Sequence, residues 1–94
     1  MSRPFDQTIF RPVAPQVVAY TASAGTSSAV GANTNAVRIV CTTAAYISFG
    51  TTATTSDIYV PANVPENFSI TPGTTVSAIQ VASGGNLHVA ELTQ

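Results

Sequence analysis

The sequence predicts a small all-β protein, an antiparallel β-sandwich or jelly roll of seven to eight short strands. Its apolar content is dominated by β-branched residues, with eleven valines and six isoleucines against two leucines, and fourteen threonines join them. Such side chains pack well on a pleated sheet. Short apolar segments alternate with turn residues at spacings of roughly ten residues, as in sandwiches. No apolar stripe with a period of about 3.6 residues extends over the length of a helix.

Length and charge indicate one domain that works in contact with partners. The chain has 94 residues, which suits a single domain. Charged residues make up 7% of it, whereas a typical soluble domain has about 25%. Proteins that act alone in solution use surface charge to stay soluble and apart, so a chain with so little charge is either present at low concentration or has much of its surface covered by partners. We therefore expect a homo-oligomer or a subunit of a larger assembly.

The charge balance also argues against two classes of partner. A net charge of −1 without a single lysine provides no basic footprint for nucleic acid or for an anionic membrane. No apolar run approaches the roughly 20 residues that span a bilayer, and the first residues lack the apolar segment of a secretory signal. We expect neither nucleic acid nor a membrane as a partner.

Residues 1–15 are predicted to form an extended N-terminal arm, and residues 16–94 the β-sandwich domain. The three prolines of the arm remove backbone donors and favour extended geometry at the residues before them. The arm also carries Phe5, Ile9 and Phe10, apolar side chains that need a surface to cover them. Folding back onto the same domain and docking on a neighbouring subunit both meet this need.

The strands of the sandwich domain are predicted between clusters of turn residues. In order they are Gln16–Ala22, a weak strand at Ala29–Val30, Ala36–Thr42, Ala45–Phe49, Asp57–Val60, Asn67–Thr71, Thr75–Val81 and Leu87–Leu92. Ser23–Ser28 is predicted to be a loop. Pro72-Gly73 is typical of a type II turn, and Ser83–Asn86, which contains two glycines, is predicted to be a hairpin turn.

Few residues could support catalysis. His88, the only histidine, could act as a base on Cys41 or join a metal site at a threefold axis, but it lacks the second ligand that a metal site needs. Cys41 lies on the predicted core face, and we interpret it as a buried structural thiol. Asp57 and Glu66 could form a carboxylate pair of the glycosidase type, although loop solvation or a turn hydrogen bond is the simpler role. We predict a protein that is not an enzyme, with no catalytic, metal-ligating or cofactor-binding residue.

Three residues of the sandwich domain are candidates for an interface. Arg38 is the only arginine in that domain and has apolar strand neighbours, so its guanidinium needs a carboxylate or carbonyl partner. Glu91 and Asp57 are the candidate partners, within one domain or across two subunits. Tyr46 and Tyr59 are predicted to cover a sheet edge or lie at an interface. The alternative hypothesis is that they stack on sugar rings.

A combination of short motifs covers residues 37–92, about 60% of the chain. They are Val37-Arg38-Ile39-Val40, Ala45-Tyr46-Ile47-Ser48-Phe49-Gly50, Val60-Pro61-Ala62, Glu66-Asn67-Phe68, Thr71-Pro72-Gly73, Ser77-Ala78-Ile79-Gln80 and Leu87-His88-Val89-Ala90-Glu91-Leu92. This combination resembles small virion proteins of tailed bacteriophages. The resemblance does not include the arm.

The resemblance implies a capsid cement, or decoration, protein with a β-sandwich fold. Such a protein lies on the outer capsid surface of the virion, binds the major capsid protein and clamps neighbouring capsid subunits. A homotrimer at a threefold position is the expected oligomer, and no catalytic residue belongs to the pattern. Similar β modules form the tips of tail fibres and tailspikes, so a receptor- or glycan-binding tip module is the alternative function.

Overall fold

The computed structural model of the protein describes residues 11–93. Over these residues it contains eight strands and no helix, so none there is long and apolar enough to cross a membrane. The strands are β1 (Arg11–Tyr20), β2 (Gly25–Thr26), β3 (Ala36–Cys41), β4 (Ala45–Phe49), β5 (Ile58–Val60), β6 (Glu66–Ser69), β7 (Val76–Gln80) and β8 (Gly85–Thr93). The all-β class predicted from the sequence is confirmed.

The strands form two antiparallel sheets of four strands each. The first sheet has the order β1-β8-β3-β6, and the second sheet has the order β2-β7-β4-β5. The first strand therefore pairs with the last, β2 with β7, β3 with β6, and β4 with β5. This pairing is that of one long antiparallel ribbon, folded back between β4 and β5 and then rolled up. Rolling adds the pairs β3–β8 and β4–β7, and the result is a jelly roll.

The inner faces of the two sheets share one apolar core. Alternation along β3 buries Val37, Ile39 and Cys41, as the period of two in the sequence predicts. Ala45 and Ile47 of β4 meet them from the second sheet. Burying a side chain the size of valine or isoleucine stabilises the fold by about 1.5–3 kcal/mol relative to leaving it exposed. The core thus holds the two sheets face to face and leaves each with one outer face.

The first strand begins earlier than predicted. It starts at Arg11, whereas the sequence pattern predicted a start at Gln16. The register against β8 shifts between Val13 and Gln16, where β1 has one residue more than β8, which is a β-bulge. Because β1 is an edge strand, its prolines do not interrupt a ladder on both sides. Residues 11–15 of the predicted arm therefore belong to the sheet.

The second strand lies where the sequence predicted a loop. The predicted weak strand at Ala29–Val30 is wrong, and β2 lies at Gly25–Thr26 instead. Gly25 packs so closely on β1 that a Cβ atom at this position would collide with the backbone carbonyl of Ala19. Close packing of backbone on backbone, and not a strand-forming side chain, selects this segment.

The two predicted turns have different outcomes. At Pro72-Gly73 the amide of Thr74 donates to the carbonyl of Thr71 at 3.2 Å, and Gly73 has φ +82°, as a type II turn requires. The hairpin predicted at Ser83–Asn86 is wrong, because β7 and β8 belong to different sheets. That segment is a crossover between the sheets.

Candidate functional site

The outer face of the first sheet is open and carries aliphatic side chains among polar ones. The alternation that buries Ile39 sends Arg38 and Val40 outward. The strand register aligns Val40 with His88 and with Val17 in one row across β3, β8 and β1. Val17 is 61% exposed, the largest exposed fraction among the large apolar side chains described between residues 15 and 92. A row of two valines on either side of a histidine, on an open sheet face, is a candidate contact surface.

A shallow groove of about 280 Å³ follows this row, and we name it the first-sheet groove. It is lined by Pro15, Gln16, Val17, Arg38, Val40, His88, Val89 and Ala90. Its floor is aliphatic, whereas Arg38 and His88 contribute basic groups. None of the residues that line it is acidic. The first-sheet groove can therefore receive an apolar group accompanied by a carboxylate.

Glu91 is not the partner of Arg38. The register places Glu91 opposite Val37, so the carboxylate lies on the inner side of the sheet while Arg38 points outward. Glu91 is buried and accepts hydrogen bonds from the amide of Gly31 at 3.1 Å and from the hydroxyl of Thr34. It ties the connection between β2 and β3 to the last strand. The predicted pair between Arg38 and Glu91 is wrong.

Asp57, the other predicted partner of Arg38, is also engaged elsewhere. Its carboxylate accepts hydrogen bonds from the amide of Thr54 at 2.7 Å and from the hydroxyl of the same residue at 3.1 Å. These bonds close the turn before β5, in the second sheet, and the turn role predicted for Asp57 is confirmed. Because this loop belongs to the other sheet, Asp57 does not meet Arg38 on the outer face of the first sheet.

The structure separates Cys41 from His88. His88 pairs with Val40 and is exposed on the outer face, whereas Cys41 is fully buried on the inner face. Burial raises the pKa of the Cys41 thiol to about 11, and a hydrogen bond with the side chain of Tyr20 acts in the opposite direction. The thiol is the buried structural group that the sequence predicted. In the described part of the chain, no three His, Cys, Asp or Glu side chains cluster as metal ligands would.

The outer face of the second sheet is partly covered by the chain itself. Residues 50–57, the tip of the rolled ribbon, fold over it. Ser77 points outward yet is 0% exposed, because Ala53 of this loop packs above it. The amide of Ala53 donates to Ser77 Oγ at 2.9 Å, and Ser77 Oγ donates to the carbonyl of Gly25 at 3.1 Å. One hydroxyl thus joins the loop to β7 and β2.

The remaining part of this face carries the two tyrosines. Tyr46 and Tyr59 are directly opposite on β4 and β5, and their rings meet edge to face at 6.0 Å and 64°. Tyr59 is 54% exposed. The structure therefore brings Tyr46 and Tyr59 together and places Arg38 on the opposite side of the sandwich. Phe5, Ile9 and Phe10 lie outside the described residues.

The sequence analysis did not identify two features, Tyr20 and the row of Val17, His88 and Val40. Tyr20 is 2% exposed and closes one end of the core. Its hydroxyl donates to the carbonyl of Thr43 at 2.6 Å and accepts from the amide of the same residue at 3.3 Å. A single tyrosine at the end of an apolar strand is the signal that points to it. The row of Val17, His88 and Val40 has no local signal, because it arises from pairing between distant strands.

No protein family, curated protein or solved structure matches the chain. The fold, the two outer faces and their residues are therefore the observations that bear on function.

Proposed function

We propose that this chain is a structural virion protein. In this proposal it is a capsid cement, or decoration, protein on the outer capsid surface of a tailed bacteriophage. It binds the major capsid protein as a homo-oligomer, with a trimer favoured, and stabilises contacts between neighbouring capsid subunits. The observation that carries the proposal is the open outer face of the first sheet, with its aliphatic-floored groove, on a chain with very few charges.

The scarcity of charge suits a protein that is covered on assembly. Of the acidic groups, Glu91 is buried and Asp57 is held in a turn, so neither has to be desolvated at an interface. Removing ions from water costs several kcal/mol each, and this surface largely avoids that cost. A trimer that binds several capsid subunits at once also holds by avidity, even where each contact is weak.

The architecture is compatible with this role. Jelly rolls occur in many viral coat proteins and also in lectins. Because a fold hosts many functions, this compatibility supports the proposal without selecting it over a carbohydrate-binding role. The sequence resemblance to small virion proteins favours the capsid.

The test is binding to capsids assembled from the major capsid protein of the same phage. We expect the purified chain to co-sediment with these capsids at a saturating ratio and to raise their melting temperature. The chain alone, centrifuged in parallel, should stay in the supernatant. If the chain remains in the supernatant with capsids at every concentration, the cement function is wrong.

The pair of Tyr46 and the exposed Tyr59 favours one second candidate, a receptor- or glycan-binding tip module of a tail fibre or tailspike. Tyr59 presents an accessible ring beside Tyr46, and aromatic rings of this kind stack on sugars. This function predicts glycan binding that Tyr59→Ala weakens at least tenfold, while Val17→Ala on the opposite face leaves it unchanged. The cement function predicts that Tyr59→Ala still co-sediments with capsids.

A further inference from the structure

We propose that the first-sheet groove binds the N-terminal segment, residues 1–10, of a second copy of the chain. This contact would join the copies of the oligomer, and it rests on the homo-oligomer of the proposed function but not on capsid binding. Asp6 would meet Arg38, and Phe10 would cover Val17.

The chemistry of the groove selects this occupant. Arg38 and His88 are basic groups beside an aliphatic floor formed by Val17 and Val40, and the lining contains no acidic residue. An occupant must therefore supply a carboxylate and an apolar group. The chain has four acidic residues. Glu91 is buried, Asp57 is held in its own turn, and Glu66 pairs with the inward-facing Ile39, so Asp6 is the remaining one.

The spacing of residues 1–10 fits the groove. In an extended segment, residues 6, 8 and 10 share one face, so the carboxylate of Asp6 and the ring of Phe10 lie on the same side, about 13 Å apart. Arg38 and Val17 lie two strands and one row apart on the sheet. Inter-strand and inter-residue spacings place them about 12 Å apart. The two spacings agree, so Asp6 can meet Arg38 while Phe10 covers Val17.

The direction of β1 rules out the same chain as the donor of this contact. Phe10 directly precedes Arg11, the first residue of β1, and Val17 lies six residues further along that strand. Six residues of strand span about 20 Å, beyond the reach of a phenylalanine side chain. The occupant is therefore the segment of another copy.

An N-terminal segment that docks on the next copy makes a head-to-tail contact. Such contacts close into a ring when the rotation between successive copies allows it. A ring of three copies agrees with the favoured trimer. Ten extended residues reach about 33 Å, enough to cross to a neighbouring domain of this size.

The test exchanges the two charges in the full-length chain. Asp6→Arg and Arg38→Asp are made singly and together, and Thr55→Asp, on the exposed loop of the opposite face, is the control. The mass of each protein is measured by sedimentation over a range of concentrations, and circular dichroism checks that each one is folded. The two single variants are also mixed in equal amounts.

We expect the unaltered chain and the Thr55→Asp control to form the same oligomer, with a mass near three times 9.6 kDa. Each single charge variant should weaken that association at least tenfold. The double variant should regain it, and the mixture should regain it in part, because an Asp6→Arg segment can then meet an Arg38→Asp groove on another copy.

Three results would overturn the proposal. The first is a chain that stays monomeric at every concentration, and the second is single variants that associate like the control. The third is a double variant that regains association while the mixture does not, since this shows that segment and groove belong to one chain. Capsid binding is measured separately, so an oligomer that ignores capsids refutes the cement function and leaves this contact standing.

Discussion

The two outer faces of the sandwich differ in what covers them. On the second sheet, the loop of residues 50–57 folds over β7 and buries Ser77 beneath Ala53. On the first sheet, Val17, Val40 and His88 form an exposed row that no loop described between residues 11 and 93 covers. β-Branched residues occur in the strands of both sheets, so their presence does not explain the difference.

The difference follows from the position of each sheet in the rolled ribbon. The turn of the ribbon lies between β4 and β5, and its loop is long enough to fold back onto the second sheet. The first sheet contains the two ends of the ribbon, β1 and β8. Its outer face is therefore left for whatever lies outside residues 11–93 or for a partner. The covered part of the second face contributes to stability, and the open first face is available for recognition.

The largest expected effect comes from placing the same charge on each face. Ala53→Asp puts a carboxylate at a site that is 3% exposed, and we expect the free energy of unfolding to fall by about 3 kcal/mol or more. Ala19→Asp makes the identical change on the exposed side of β1, and the expected cost is below about 1 kcal/mol. Urea unfolding followed by circular dichroism measures both. Equal costs would contradict the assignment of one covered and one open face.

The core between the two sheets provides a test of stability that does not depend on either outer face. The pKa of Cys41 is raised from 9.0 to about 11 in the folded protein, so the unfolded chain loses the thiol proton first as the pH rises. The free energy of unfolding is therefore unaffected by this group below pH 9 and falls between about pH 9 and 11, by roughly 2 to 3 kcal/mol.

Urea unfolding at a series of alkaline pH values measures this slope, and Cys41→Ala is the control. The variant keeps all three tyrosines, so the difference between the two pH profiles isolates the thiol. Identical profiles would show that the thiol is not held neutral in the core.

A smaller effect is expected from the hydroxyl that fastens the covering loop. Ser77→Ala leaves the buried amide of Ala53 and the carbonyl of Gly25 without their partner, at a cost of about 2 kcal/mol. Ser69→Ala, on the exposed end of β6, is the matched control, with a change within about 0.5 kcal/mol. Amide hydrogen exchange should also show faster exchange at Ala53. A loop that keeps its protection in Ser77→Ala would mean that packing alone holds it.

The smallest effect is expected where the second sheet is not covered. Tyr59→Ala should lower the free energy of unfolding by at most about 1 kcal/mol, since the ring is 54% exposed and loses mainly its edge contact with Tyr46. Tyr46→Ala should cost more, because that side chain is half-buried. A double-mutant cycle should give a coupling of about 0.5 kcal/mol. A coupling near zero would show that the two rings do not stabilise each other.

Local sequence pattern predicted the central strands well. Ala45–Phe49 agrees residue for residue with β4, and the alternation in Ala36–Thr42 identified the buried side chains of β3. Because the core lies on one face of these strands only, core-facing apolar residues recur with a period of two along the sequence. The pattern was less informative for the first strand, because two prolines and a bulge interrupt the alternation of residues in the part of β1 before Gln16.

The candidate site was only partly predictable for a different reason. The outward orientation of Arg38 and the inward orientation of Glu91 each follow from the alternation in their own strands. Which side chains lie beside Arg38 on the outer face does not, because the register between β3 and β8 decides it. Likewise the glycines of Ser83–Asn86 predict a change of chain direction, but they do not show whether the next strand joins the same sheet. Such facts depend on pairs of residues far apart in the chain.

Local sequence pattern is sufficient to predict that this protein is all-β, which segments form most of its strands, and which side chains of the central strands face the core. This is so because side-chain alternation and turn residues act over two to four neighbouring residues. The rolled order of the strands, the covering of part of one outer face and the groove on the other are visible only in the folded protein. Those features arise from pairing between strands up to the full length of the chain apart, β1 with β8 above all, and local pattern does not encode that pairing.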